Sequence, residues 1–126
     1  MATIEVTAEN FNDIITNNEF VIVDFWAPWC GPCKGFAPVY EELSEKYPDL
    51  VFAKVNTENE QQLAGEFQIR SIPTLMIFRE QIILFSQPGA LQGAQLEQVI
   101  DQAKGLDMEE VKMDIEKQQA EQATKQ

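Results

Sequence analysis

Residues 20–26 of this chain read Phe20-Val21-Ile22-Val23-Asp24-Phe25-Trp26, apolar at every position but one. A strand with one wet face alternates apolar and polar side chains, whereas this run does not, so both of its faces should be covered. Strands of that kind usually belong to parallel or mixed sheets flanked by helices. Ala27 and Pro28 then lead into Trp29-Cys30-Gly31-Pro32-Cys33-Lys34, which holds both cysteines of the 126-residue chain.

The remaining pattern agrees with such a sheet. Residues 3–6 form a short strand, and Thr7 is the expected N-cap of a helix whose apolar side is Phe11, Ile14 and Ile15. Phe36, Val39, Tyr40, Leu43 and Tyr47 repeat at helical spacing, which predicts a helix over 33–47 that Pro38 bends or breaks. Val51–Asn56 is the next strand. Thr57 and Glu60 have capping-box spacing before a short helix carrying Leu63, Ala64 and Phe67. Strands over 74–78 and 82–85 are joined through Arg79-Glu80-Gln81, and Leu96, Val99, Ile100 and Ala103 mark a last core helix. The expected order β-α-β-α-β-α-β-β-α is an α/β sandwich, with helices on both faces of a mixed sheet. Residues 1–104 read as one domain, and 105–126 as a polar helical extension with a thin stripe of Met108, Val111 and Ile115.

Charge and termini narrow the partners. A formal net charge of −12 argues against nucleic acid and against anionic membrane surfaces, both of which need basic patches. The opening Met1-Ala2-Thr3-Ile4-Glu5 has neither a basic n-region nor an apolar h-region, which points to the cytoplasm. Thiols are kept reduced there, so a lone Cys-X-X-Cys is not expected to be a structural staple.

Zinc would need four ligands, and the chain has no histidine and no third cysteine. A structural disulfide closing so short a loop would constrain the unfolded chain little. Redox exchange uses everything present. At a helix start, two intervening residues let the sulfurs meet in disulfide geometry. Cys30 would sit where unpaired N–H groups and the helix dipole favour an anion, which makes it the attacking thiolate. Cys33, a turn further in, would be more buried and would resolve the mixed disulfide.

Ala27-Pro28-Trp29-Cys30-Gly31-Pro32-Cys33-Lys34 resembles the thioredoxin active site, and Ser71-Ile72-Pro73-Thr74 resembles that family's second motif. The likeness runs from about Thr3 to Lys104. It implies a thioredoxin fold and protein-disulfide reduction. Asp24 resembles the buried carboxylate that assists proton transfer at the resolving thiol. Burial alone should raise its pKa, and Lys54 is the obvious partner for its charge. Pro73 resembles the family's cis-proline. Trp29, Ile72, Pro73, Gly89 and Ala90 match the surface where partner proteins dock, and Trp29, Gly31, Pro32 and Pro73 the loops that tune the redox pair. Trp26 matches either support for that loop or a direct contact. The resemblance further implies a monomer with no bound cofactor, served by a thioredoxin reductase that draws on NADPH, and client proteins carrying disulfides.

The chain departs from the family pattern in places. Ser71 replaces a common glycine, Pro88 a common aliphatic residue, and Glu80-Gln81 a hairpin turn of Asn-Gly type. Ile82-Ile83-Leu84-Phe85 is unusually apolar for an outer strand, and the tail is extra. Two further functions fit the same residues. One is an oxidase or isomerase of the protein-disulfide-isomerase type. The spacer Gly31-Pro32 lacks the histidine that would stabilise the Cys30 thiolate, which favours a reductant. The other is a binding module or co-chaperone that uses its tail, for which neither the cysteines nor Asp24 would be needed. The tail itself is either solvated or packed through its apolar stripe onto a patch such as Ile82–Phe85.

Overall fold

The computed structural model describes residues 2–124. Its elements are β1 (Thr3–Glu5), α1 (Phe11–Asn17), β2 (Phe20–Trp26), α2 (Gly31–Lys46), β3 (Val51–Asn56), α3 (Gln61–Glu66), β4 (Thr74–Arg79), β5 (Ile82–Pro88), α4 (Gly93–Lys104) and α5 (Met108–Thr124). The strands lie in the order β1-β3-β2-β4-β5. β3 runs parallel to both β1 and β2, whereas β4 is antiparallel to β2 and to β5.

The central place of β2 explains its composition. Phe20 and Ile22 point into a core shared with Phe36 and Tyr40 of α2 and with Leu96 and Ile100 of α4. Val21, Val23 and Phe25 point the other way, into a core with Phe11 of α1 and Leu63 of α3. Two apolar layers on one strand require apolar residues at both parities. The Tyr40 hydroxyl lies 2.8 Å from the Ile22 carbonyl and 2.7 Å from that of Ala53, tying α2 to the two central strands.

Several local expectations are corrected. Thr7 does not cap α1: its carbonyl accepts from the N–H groups of Asn10 and Phe11, forming a turn that delays the helix to Phe11. Thr57 and Glu60 form no capping box. The Thr57 hydroxyl donates to the Trp26 carbonyl and the Glu60 carboxylate accepts from the Ala8 N–H, so both side chains serve tertiary contacts. α2 starts at Gly31 and runs unbroken through Pro38. β5 extends to Pro88, whose missing donor is tolerated because β5 is an edge strand. Glu80 and Gln81 close the β4–β5 hairpin with φ of 51° and 68°, adopting the left-handed turn despite lacking its preferred residues.

The tail follows neither simple reading. Asp107 Oδ1 accepts from the N–H groups of Glu109 and Glu110, starting α5. Met108 is buried and Val111 and Ile115 are half-buried, while Met113 is 68% exposed. One Arg79 nitrogen donates to the carbonyls of Ala103, Lys104 and Leu106, and Lys112 pairs with Glu80 at 2.6 Å. The helix is thus fastened at its first turns to the hairpin end of the sheet. Met1, Lys125 and Gln126, the outer limits of the two expected segments, lie outside the described residues.

Candidate active site

The cysteines sit where β2 ends and α2 begins. Cys30 is the N-cap of α2, and Gly31 and Pro32 open its first turn, where a proline needs no intrahelical donor. The cysteines form a disulfide with S–S 2.28 Å and Cα–Cα 5.2 Å. The Cys33 N–H lies 3.2 Å from the Cys30 sulfur, so a first-turn backbone donor faces the N-terminal sulfur.

Both cysteines are buried, Cys30 at 4% and Cys33 at 3% exposure, so the expected difference in depth between the two is slight. Ala27 packs beside them, and Trp26 and Ile72 cover the pair. The Ile72 carbonyl oxygen is 3.7 Å from the Cys30 sulfur. The Ile72–Pro73 peptide bond is cis. Pro73 is itself buried, so only part of the expected docking rim faces solvent: Trp29 at 65% exposure, with Gly89 and Ala90 exposed and Ile72 half-buried. The Gly89 N–H donates to the Pro73 carbonyl at 2.8 Å, holding the 88–90 loop against the proline. Gly89 has φ +107°, a conformation that side chains rarely adopt, so glycine is required there by the backbone and not by crowding.

Asp24 lies in β2, six residues before Cys30, and is 1% exposed. Burial pushes its carboxyl up to about 7; the Lys54 ammonium opposes this and the Glu5 carboxylate adds to it. Asp24 and Lys54 are register partners in the parallel β2–β3 pair. They are not the ion pair that the sequence suggests. The Lys54 Nζ instead lies 4.5 Å from the centroid of the Trp26 ring, and Asp24 Oδ1 has no hydrogen-bond partner. Trp26 therefore touches both the cysteine cover and the cation beside Asp24. Glu5, which the sequence did not single out, stands opposite Lys54 on β1. Only the register of β1 on β3 reveals it. Among the described residues no group of three or more His, Cys, Asp or Glu is placed to hold a metal ion.

Fold and site together define a class: α/β-sandwich proteins in which a disulfide at a strand–helix junction, beside a cis-proline, exchanges with external thiols. The sequence matches the thioredoxin family model over residues 2–102. It is 59% identical over 119 residues to the "Putative thioredoxin 2" of Streptomyces coelicolor, spanning 94% of this chain and 89% of that one. That alignment is longer than everything outside α5, so it includes part of the tail helix. Among solved structures, a thioredoxin from Plasmodium falciparum superposes with TM-score 0.73 at 38% identity, covering 79% of this chain and 97% of the other. A mutant thioredoxin from Halobacterium salinarum gives 0.77 at 30% identity, covering 83% and 93%. The chain belongs to the thioredoxin family. It is a protein-disulfide oxidoreductase that works by dithiol–disulfide exchange on disulfide-containing substrates.

Proposed function

We propose that the protein runs this exchange as a reductase, with Cys30 as the attacking thiolate and Cys33 as the resolving thiol. The position of the Cys30 sulfur, as the N-cap of α2 facing the Cys33 N–H, carries this reading. A thiolate there gains a charge-assisted hydrogen bond and the favourable end of the helix dipole.

The reaction balances over two steps. The Cys30 thiolate attacks a client disulfide, forming a mixed disulfide and releasing one client thiolate, which takes up a proton. Cys33 then gives its proton to the Asp24 carboxylate and attacks the Cys30 sulfur. The Cys30–Cys33 disulfide forms, the second client sulfur leaves as a thiolate that takes up the proton Asp24 returns, and two electrons have passed to the client. A carboxyl held at about 7 is half ionised near neutral pH, which suits a group that must both take and return that proton. Lys54 serves as the counter-charge of the ionised form. Trp29, Ile72, Pro73, Gly89 and Ala90 form the docking rim, and the backbone beside Pro73 is the part of it that pairs with an extended client segment. Gly31 and Pro32 keep the spacer free of an imidazolium, favouring a reducing couple.

The same reading places the protein in the cytoplasm as a monomeric electron carrier in redox homeostasis. A thioredoxin reductase recharges it from NADPH. Residues 1–104 constitute the catalytic domain and 105–126 an extension. No helix among the described residues is long and apolar enough to cross a membrane.

The test is reduction of an interchain disulfide by the protein with dithiothreitol, or with NADPH and a thioredoxin reductase. Cys30→Ser abolishes turnover, and Cys33→Ser accumulates mixed disulfides with the client. Full turnover by Cys33→Ser would sink the assigned roles. A couple near about −120 to −180 mV, where the oxidising foldases lie, and not near the −270 mV or so of thioredoxins, would reverse the direction of the chemistry.

A further inference from the structure

Glu5 is the one charged neighbour of Asp24 that the exchange cycle leaves unused. It pairs in register with Lys54 across β1 and β3, and Lys54 pairs in register with Asp24 across β3 and β2. Register partners project to the same face of a sheet, so the three side chains form one row: carboxylate, ammonium, carboxylate. Adjacent strands are about 4.8 Å apart, which sets the two carboxylate positions about 9.6 Å apart. Ile22 and Phe52, two residues earlier on β2 and β3, pack with Tyr40 of α2, so the row faces the helix that carries the cysteines.

The row runs from solvent to core. Glu5 is exposed, Lys54 half-buried and Asp24 buried. One cation therefore stands between two carboxylates of very different depth. Its ammonium pairs with neither of them among the described residues and rests over the Trp26 ring. Burial raises the Glu5 carboxyl and Lys54 opposes that rise, the same pair of influences that lead at Asp24. The other groups facing this row are few. α2 brings Cys33, the Tyr40 hydroxyl, which lies against two carbonyls, and Glu41, which accepts from the Thr3 hydroxyl. β4 places the uncharged Leu75 opposite Asp24.

We propose that Glu5 is a positioning residue for the exchange reaction. Its carboxylate competes with Asp24 for the field of Lys54, keeping Asp24 able to accept the Cys33 proton near neutral pH. This rests on the assignment of Asp24 as the proton acceptor. Without the Glu5 charge, Lys54 acts on Asp24 alone and favours its ionised form. Asp24 then becomes a weaker base, and the pH at which Cys33 is deprotonated efficiently moves.

The experiment follows the Asp24 carboxyl by carbon NMR through a pH titration of the oxidised protein, in wild type and Glu5→Gln. The pH profile of disulfide reduction is recorded on the same proteins. Glu5→Gln lowers the Asp24 midpoint by about 0.3 to 1 pH unit, the effect of a unit charge about 9.6 Å away in a dielectric between about 80 and about 20. The turnover profile shifts to lower pH in the same sense. Glu9→Gln, which removes an exposed carboxylate from the loop after β1, leaves both unchanged. An Asp24 midpoint that does not move in Glu5→Gln overturns the proposal. Asp24→Asn separates the role of Asp24 from that of Glu5. If it leaves the turnover profile unmoved, the role of Asp24 fails and this proposal falls with it. If it alters the profile while Glu5→Gln does not, Glu5 alone is overturned.

Discussion

Asp24 and Lys54 stand side by side in register on β2 and β3, yet the ammonium lies over the Trp26 ring and Asp24 Oδ1 is left without a partner. A carboxyl at 1% exposure with an oxygen left unpartnered is an expensive group for a folded core to keep ionised. The same desolvation that makes it costly brings its titration to about 7, which suits the proton-accepting role proposed for it.

Stability should therefore fall with rising pH in a way that Asp24→Asn removes. The Asp24 carboxyl is raised from 3.8 to about 7 on folding, so the folded state binds its proton more tightly. That contribution is fully present below about pH 4 and is lost as the pH rises to about 7. A difference of about three pH units corresponds to about 4 kcal/mol. Denaturant unfolding of the oxidised proteins should show the variant gaining about that much on wild type between pH 4 and 8. A pH-independent difference between the two would contradict the assignment.

Deleting residues 106–126 should lower stability without slowing disulfide reduction. The deletion exposes what Met108 covers, breaks the Lys112–Glu80 pair and removes one of the three acceptors of Arg79. Burial of a methionine alone suggests a loss of about 1–3 kcal/mol, or roughly 4–10 °C in Tm. The attachment is at the hairpin end of the sheet. β4 runs antiparallel to β2, so Glu80 lies at the end opposite Cys30. An unchanged Tm would mean that α5 does not pack.

Gln81→Gly should stabilise the protein by about 0.5–1 kcal/mol. Gln81 holds φ 68° in the two-residue hairpin loop, where a side chain costs about 1–2 kcal/mol, against which glycine's greater chain entropy must be set. Glu80, at φ 51°, is a poorer place for glycine because its carboxylate holds Lys112. Thermal unfolding of the single variants checks both statements. A destabilised Gln81→Gly would show that its side chain makes a compensating contact.

Much of this architecture was legible in the sequence because it depends on local regularities. The nearly continuous apolar run of β2, broken only at Asp24, called for cover on both faces, and it is covered by two separate cores. The spacing of Cys30 and Cys33 at a helix start was enough to bring their sulfurs together, since the geometry spans a single turn. The capping box expected at Thr57 and Glu60 failed because each side chain has a distant partner. Thr57 reaches Trp26, and Glu60 reaches Ala8.

What only the tertiary structure decided is how the charges are arranged around the pair. The sequence alone pointed to a buried Asp24 with a raised carboxyl, because an acid inside an apolar strand is desolvated, and it offered Lys54 as the opposing charge. It could not place Lys54 over Trp26, bury Cys30 under Ile72, or set Glu5 opposite Lys54. Those relations depend on strand register and on the approach of loops far apart in the chain. No periodicity within a single segment encodes them, since a shift of one residue in register would send each side chain to the other face of the sheet.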